Sequence, residues 1–386
     1  MGLILLRYGE IALKGQNRTY FTRKLRRNVR KCLKANEVAG QLWQDGQRIY
    51  VETEQVEEAI EAMRRVFGIV SLSPAQMVAA DLDAMVQEAV AVAHRAGLDA
   101  TQTFRVRARR ADKSFPYLSP EIERQAGGAI VEATGAKVDL SKAAQIEIGV
   151  EVHPAHVLVF GERIEGPGGL PLGSQGRVVA LLSSGIDSPV AAWLMMKRGC
   201  SVIPVHFSTS PAQTDQVLAI AAALNQYAYG WQLRPLVLSH EEVLGPVLRQ
   251  LQDMRRERWT CLFCKRVMLA KAAEIATEMG AHALVTGDSL GQVASQTLSN
   301  LEAISYGIEK PILRPLIGMD KTEIMALARR IGTYETSIQD SHACPFLPDR
   351  PLTQTSLDKL RELLAQMEQA EPQLAASQIA DGGGWI

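Results

Sequence analysis

The stretch Leu181-Leu182-Ser183-Ser184-Gly185-Ile186-Asp187-Ser188-Pro189 limits what this chain can fold into more than any other. Before it, Arg177 to Leu182 is a short, apolar, β-branched run. After it, Pro189 to Arg198 carries apolar residues at helical spacing and stops at Gly199, a C-cap glycine. The order is strand, tight polar turn, helix. Hydroxyls, a glycine and the helix's unpaired N–H groups then converge on one point, where the helix dipole favours an anion. The turn reads as a phosphate cradle, and the bland alternative is an ordinary serine-rich turn. It has neither the Gly-Lys-Ser/Thr ending of a Walker A loop nor the Gly-x-Gly-x-x-Gly spacing of a dinucleotide fingerprint.

A chain of 386 residues with 47% hydrophobic content is long enough for two or three domains with real cores. Its 42 basic and 42 acidic residues cancel, so any case for nucleic-acid binding must rest on local clustering. Met1 to Leu6 is followed at once by Arg7, Glu10 and Lys14, and no apolar run is long enough to span a bilayer. The expectation is a cytoplasmic protein with no membrane partner. Five cysteines, an odd number without a secretion signal, argue for metal or redox use of some of them over a disulfide framework.

Residues 1–70 read as a small α+β unit: a strand from Leu3 to Arg7, a helix from about Thr19, a strand from Arg48 to Glu52 and a helix from Glu54 to Val66. In the first helix Phe21, Leu25, Val29, Cys32 and Leu33 share one face, which makes Cys32 a core residue. The other face carries Arg18, Arg23, Lys24, Arg26, Arg27, Arg30, Lys31 and Lys34 with no acid among them, so it is either a phosphate-backbone contact or a solvated face. Residues 71–165 read as a second α+β unit. Its strand Phe104 to Arg109 alternates, placing Arg105, Arg107 and Arg109 on one face, with Arg110 and Lys113 just beyond. A helix capped at Ser119-Pro120 runs to Gly135, and Ile146 to Val152 with His156 to Phe160 reads as a hairpin. Basic strands beside a helix, with no recognition-helix motif, suit RNA better than the DNA major groove.

Gly166 to Gly173 has linker composition, and 166–175 is taken as the linker. From 176 to 386, strands at 201–207, 233–238 and 283–286 alternate with helices at 213–227 and 241–254, the pattern of a doubly wound α/β domain. Such sheets bind ligands at the carboxyl ends of their strands, which points to Ser183–Ser188, His206, Phe207 and Gly287 together. Cys261-Leu262-Phe263-Cys264 opens a helix, so its thiols lie at the positive dipole end and are expected to be acidified. Cys344 lies far downstream, and Cys200, at a helix end beside a buried strand, reads as core.

The 181–189 loop resembles that of the PP-loop ATP pyrophosphatases. Together with Val285 to Thr297, Leu313 to Lys321 and Gly332 to Ile338, it resembles the ThiI family of tRNA uracil 4-sulfurtransferases, over a span from Arg7-Tyr8-Gly9-Glu10 to about Cys344. Residues 1–70 then resemble that family's ferredoxin-like domain, 71–165 its THUMP domain, and 176–386 its PP-loop domain. The resemblance places Leu181, Leu182, His206, Phe207, Lys265, Gly287 and Gln296 at ATP, beside Ser183, Ser184, Gly185 and Ser188 of the cradle. It gives Asp187 and Lys321 to adenylation. An aspartate among phosphates suits Mg²⁺, and a lysine suits the charge developing on departing pyrophosphate. Asp320-Lys321-Thr322-Glu323 also reads simply as a capped helix start. Two residues depart from the family pattern: Ser184 replaces a second glycine, and Lys265 stands where many members have arginine.

Cys344 corresponds to the family's catalytic cysteine, and the Cys261/Cys264 pair to members without a rhodanese domain. The 42 residues after Cys344 are too few for such a domain. Three thiolates suit a [4Fe–4S] cluster with one iron open to sulfide. With His342 they suit a structural zinc site instead, and plain redox or packing cysteines remain the bland reading. The expected activity is ATP-dependent adenylation of uracil O4 in tRNA, by analogy at uridine 8, followed by replacement with sulfur to give 4-thiouridine. Implied partners are tRNA, a sulfur donor (sulfide or a cysteine desulfurase persulfide) and a second copy in a homodimer. Alternatives are thiolation of another RNA base and a non-catalytic tRNA-binding protein.

Overall fold

The computed structural model describes residues 1–154, 156–339, 344 and 346–370. His342 lies outside the described residues. The chain divides into two compact units after Leu172.

Unit 1 contains strands β1 (Gly2–Tyr8), β2 (Gln41–Asp45), β3 (Arg48–Thr53), β4 (Ile69–Val78), β5 (Thr103–Arg110), β6 (Lys137–Val138), β7 (Ile146–Val152), β8 (Val157–Phe160) and β9 (Ile164–Glu165). Its helices are α1 (Arg18–Ala35), α2 (Val56–Met63), α3 (Leu82–Arg95) and α4 (Ser119–Thr134). The strands form one sheet in the order β2-β3-β1-β4-β8-β7-β5-β6, with β9 also on β4. β4 was not read from the sequence, because Ser71, Ser73 and Pro74 break the apolar alternation that marks a strand. It nevertheless pairs antiparallel with β1 (Ile4 opposite Pro74) and with β8 (Ala75 opposite Phe160), and so joins the two N-terminal segments. The boundary read at 70/71 falls inside it.

Beneath β5, β7 and β8, Phe104, Ile122, Ile130, Ile148 and Val150 are fully buried, each contributing roughly 1.5–3 kcal/mol. The first half of the Gly/Pro-rich stretch folds back on this unit. The Gly166 N–H donates to Val70 O at 2.9 Å, the Gly168 N–H donates to Ile69 O at 2.8 Å, and Leu170 and Leu172 are buried.

Unit 2 contains β10 (Arg177–Leu181), β11 (Ser201–Ser208), β12 (Leu236–Ser239), β13 (Ala283–Val285) and β14 (Ile312–Leu313) in a parallel sheet of order β12-β11-β10-β13-β14. The connecting helices are α5 (Asp187–Lys197), α6 (Pro211–Asn225), α7 (His240–Asp253), α8 (Thr260–Glu278), α9 (Leu298–Ser305), α10 (Lys321–Ile331) and α11 (Tyr334–Ser337). The chain runs outward from β10 through β11 to β12, then returns to β13 on the other side of β10. That reversal opens a crevice between the β10 and β13 ends, where open α/β sheets bind ligands. A last helix, α12 (Leu357–Ala370), beyond the reach of the sequence reading, buries Leu360, Leu363 and Met367 in the same core as Val205, Leu244 and Leu284. No helix of the described residues is long and apolar enough to cross a membrane.

Candidate active site

β10 ends in the polar loop because Leu181 is its last paired residue, opposite Val205, and α5 begins at Asp187 with no side chain capping its first turn. Its leading N–H groups therefore point at the crevice with their positive dipole end. The loop is braced internally: the Ser183 N–H donates to Ser188 Oγ at 2.9 Å, and the Ser183 and Ser188 hydroxyls lie 3.0 Å apart. Ser184 is buried and lies outside the left-handed region of φ, so no glycine is required there. Close approach is needed at Gly287 instead. A Cβ at that position would come within 2.8 Å of the Ser188 nitrogen and 3.0 Å of the Asp187 carbonyl carbon.

A cavity of about 260 Å³ opens here. Ten of the residues expected at the site line it: Leu181, Leu182, Ser183, Gly185, Asp187, Ser188, Phe207, Lys265, Gly287 and Gln296. Ser184, His206 and Lys321 do not line it. His206 is buried, and its Nδ1 lies 3.0 Å from Leu182 O. A carbonyl only accepts, so Nδ1 carries the proton and the ring steadies the loop from behind. Burial lowers the His206 pKa and favours the neutral ring.

Lys321 reaches the site through Asp187, its Nζ donating to Oδ1 at 2.6 Å, while Gln292 Nε2 donates to Oδ2 at 3.0 Å. The capped helix start is present as well. Asp320 accepts from the Glu323 N–H at 2.9 Å and Glu323 reaches back to the Asp320 N–H, so one local structure both starts α10 and sets its first side chain on Asp187.

The residue the sequence reading passed over is Asp288, buried at the end of β13. Its carboxylate accepts from Lys265 Nζ at 2.8 Å, Thr286 Oγ1 at 2.7 Å, Gln296 Nε2 at 3.3 Å and Arg314 Nε at 3.4 Å. Burial alone would raise its pKa, but Lys265, Thr286 and Arg314 outweigh burial and hold it below the usual carboxylate range. Lys265 and Gln296, both expected at ATP, are therefore positioned by one buried carboxylate. The signal was present in Gly287-Asp288, a carboxylate directly after the glycine at a strand end.

Cys261 and Cys264 sit at the start of α8, in its first and second turns, but their acidity is opposite to expectation. Burial, with the neighbouring Cys344 next, raises the Cys261 thiol, and the same two causes together with Cys261 push Cys264 up to about 12. Desolvation exceeds what a helix terminus supplies. Cys344 is exposed and near enough to the pair to contribute to both shifts. Among the described residues the three sulfurs do not all fall within 4.8 Å of one another. Cys32 and Cys200 are buried, as read.

In unit 1, Arg27, Arg30, Arg107, Arg109 and Lys113 are exposed, whereas Arg26 is half-buried with an enclosed Nε. Arg105 is committed to Glu147, with Nε at 2.7 Å from Oε2, and to Ser141 O at 2.7 Å. Arg110 donates to Phe115 O at 3.0 Å.

Three families match the chain: "Thiamine biosynthesis protein (ThiI)" over residues 173–369, "ThiI ferredoxin-like domain" over 3–73 and "THUMP domain" over 79–161. The chain is 40% identical to a protein of Thermococcus kodakarensis called "Probable tRNA sulfurtransferase", over 96% of this chain and 98% of that one. It is 39% identical to one of the same name in Methanocaldococcus jannaschii, over 93% and 96%. Among solved structures, a 4-thiouridine synthetase in complex with RNA and bound ATP superposes with a TM-score of 0.83 at 32% identity, covering 98% of this chain and 96% of that one. A ferredoxin-like and THUMP pair followed by the PP-loop α/β unit, matched along nearly the whole length at this identity, makes this chain a member of the ThiI family of tRNA sulfurtransferases.

Proposed function

We propose that this chain makes 4-thiouridine in tRNA by adenylating uracil O4 at the β10/β13 cavity and replacing the adenylate with sulfur. The observation that carries the reading is the convergence of an uncapped helix N-terminus, Gly287 and the Asp187–Lys321 pair on one cavity. An ATP polyphosphate on the loop accepts from the α5 N–H groups, while Phe207, Leu269 and Ile304 offer the base an apolar wall. Asp187 is the carboxylate placed to hold Mg²⁺ at the phosphates, and Lys321 then offsets charge on departing pyrophosphate. Asp288 stays closed, since four donors already occupy it, and it fixes Lys265 as a point contact where an arginine would make two.

Cys261, Cys264 and Cys344 are three soft donors, suited to an iron–sulfur cluster. A single zinc ion, with bonds of about 2.3 Å to each sulfur, would gather them more tightly than they stand. A cluster held there would supply an open iron for binding and delivering sulfide. The protein's own part is to keep the site dry and beside the cavity, Cys264 being buried and Lys265 its neighbour in sequence. Exposed Arg27, Arg30, Arg107, Arg109 and Lys113 supply tRNA phosphate contacts.

The test is anaerobic turnover with tRNA, ATP and sulfide, reading pyrophosphate release and 4-thiouridine by nucleoside analysis. Each of Cys261→Ser, Cys264→Ser and Cys344→Ser should lose thiolation and keep tRNA-dependent pyrophosphate release. Full thiolation by iron-free protein would overturn the cluster, and thiolation of another base would overturn the product assignment.

A further inference from the structure

The β2–β3 turn and the β7–β8 turn of unit 1 bring Asp45, His153 and His156 together, one ligand atom from each lying within 4.8 Å of the other two. Asp45 ends β2 opposite Arg48 and is exposed. His153 is 8% exposed, directly after β7, and its N–H closes the turn on His156 O at 2.9 Å. The two imidazoles stack, with centroids 5.0 Å apart and planes 15° from parallel.

Nε2 of each ring is buried without a hydrogen-bond partner. A desolvated ring nitrogen left unpaired costs free energy that folded proteins rarely tolerate, and two side by side call for a common ligand. Among the described residues no hydrogen-bond partner meets either Nε2 of the neutral rings. Glu151 Oε2 lies 3.7 Å from His153 Nε2, an ion-pair contact only when that ring is protonated, and both its oxygens already accept from Arg48 at 2.8 Å.

We propose that Asp45, His153 and His156 form a binding site for a divalent transition-metal ion of the zinc type, separate from the three cysteines. Two imidazoles and one carboxylate are the donor set that zinc, cobalt and nickel prefer, whereas magnesium and calcium require oxygen ligands. Bonds of about 2.0–2.2 Å need the ligand atoms drawn somewhat closer than 4.8 Å, which the exposed side chain of Asp45 can supply by changing rotamer. The ion would tie the β2–β3 hairpin to the β7–β8 hairpin, two turns that sequence places more than 100 residues apart.

The test titrates Co²⁺ and Zn²⁺ into the chelator-treated full chain and into Asp45→Ala and His156→Ala, following bound metal per chain, the visible cobalt spectrum and the thermal midpoint. Wild type should bind one equivalent more than either variant, at an affinity at least about 10-fold above any residual binding. The extra cobalt should show ligand-field bands without thiolate charge transfer, which sets it apart from metal on the cysteines. Zn²⁺ should raise the midpoint of wild type more than that of either variant, and Mg²⁺ should raise none. Asp45→Ala alters an exposed turn side chain, so it tests the site even if His156→Ala weakens the fold. Either variant keeping the wild-type stoichiometry and midpoint response would overturn the site.

Discussion

Two buried carboxylates, one in each unit, are each held by two cations, and the one in unit 2 lines the cavity described above. In unit 1, Glu151 takes a bidentate contact from Arg48, while Arg7 approaches at 3.8 Å, bonds Ser73 and lies 4.3 Å over the Phe160 ring. Burial raises Glu151, and His153, Arg48 and Arg7 more than reverse it, bringing the pKa to about 2; burial also brings Arg7 down to about 10. In unit 2, Asp288 is held by Lys265 and Arg314, and Lys265 lines the cavity with 27% of its side chain exposed. Dense ion pairing alone therefore marks neither scaffold nor site. Access decides, because a partner that reaches solvent can turn to a ligand phosphate and an enclosed one cannot.

The largest expected effect breaks the enclosed network. Glu151→Gln leaves two arginines uncompensated in a low dielectric, and removal of one partner of a buried pair costs about 3–5 kcal/mol. Denaturant unfolding at neutral pH should show that loss. The folded pKa of about 2 lies below the ordinary 4.5, so this stability is complete above about pH 4.5 and is lost as pH falls toward 2. The gap between wild type and variant should narrow over that window and stay constant from pH 6 to 8. A gap that widened on acidification would contradict the pairing.

The next effect lies at the open site. Asp187→Ala should slow tRNA-dependent pyrophosphate release by roughly 10²-fold, because it removes the contact to Lys321 and the carboxylate proposed to hold Mg²⁺ where transition-state charge develops. Its affinity for tRNA should stay within about 2-fold, since the basic residues proposed to contact tRNA phosphates belong to unit 1. Near-normal release would return Asp187 to a purely structural role.

Asp288→Asn sharpens the comparison directly. Lys265 is part exposed, so the stability loss should be smaller than for Glu151→Gln, while the KM for ATP rises about 10-fold, equivalent to about 1.4 kcal/mol. A stability loss equal to that of Glu151→Gln with an unchanged KM would make Asp288 scaffold and erase the distinction.

The strand, polar loop and helix at 177–197 were legible in the sequence because everything that makes them is local: a β-branched strand, hydroxyls, one glycine and a helix within about 20 residues. The doubly wound α/β pattern of unit 2 followed from the alternation of strands and helices, while the order of the strands in the sheet did not. The missing parts depend on distance or burial. Asp288 shows its role only when Lys265, Gln296 and Arg314 fold around it. The thiols of Cys261 and Cys264 are raised chiefly by burial, which a Cys-x-x-Cys spacing does not reveal. Arg105 looked identical to Arg107 and Arg109 until Glu147, 42 residues away, came to pair with it.

That last difference sets the smallest expected effect, a change in salt dependence more than in affinity. Arg27 and Arg30 are exposed on α1 and make no ion pair or side-chain hydrogen bond among the described residues, so each is available to a phosphate. A phosphate contact releases counterions and contributes roughly 0.7 to 0.9 to the slope of log affinity against log salt, so Arg27→Gln with Arg30→Gln should flatten the slope by about 1.5. Arg105→Gln serves as the paired control. Its guanidinium already neutralises Glu147, so its loss should leave the slope unchanged and appear instead as a modest fall in the stability of unit 1. Filter-binding or anisotropy titrations between 50 and about 200 mM salt would separate the two. An unchanged slope in the double variant would make the α1 cations a solvated face, and a flattened slope in Arg105→Gln would show that RNA displaces Glu147.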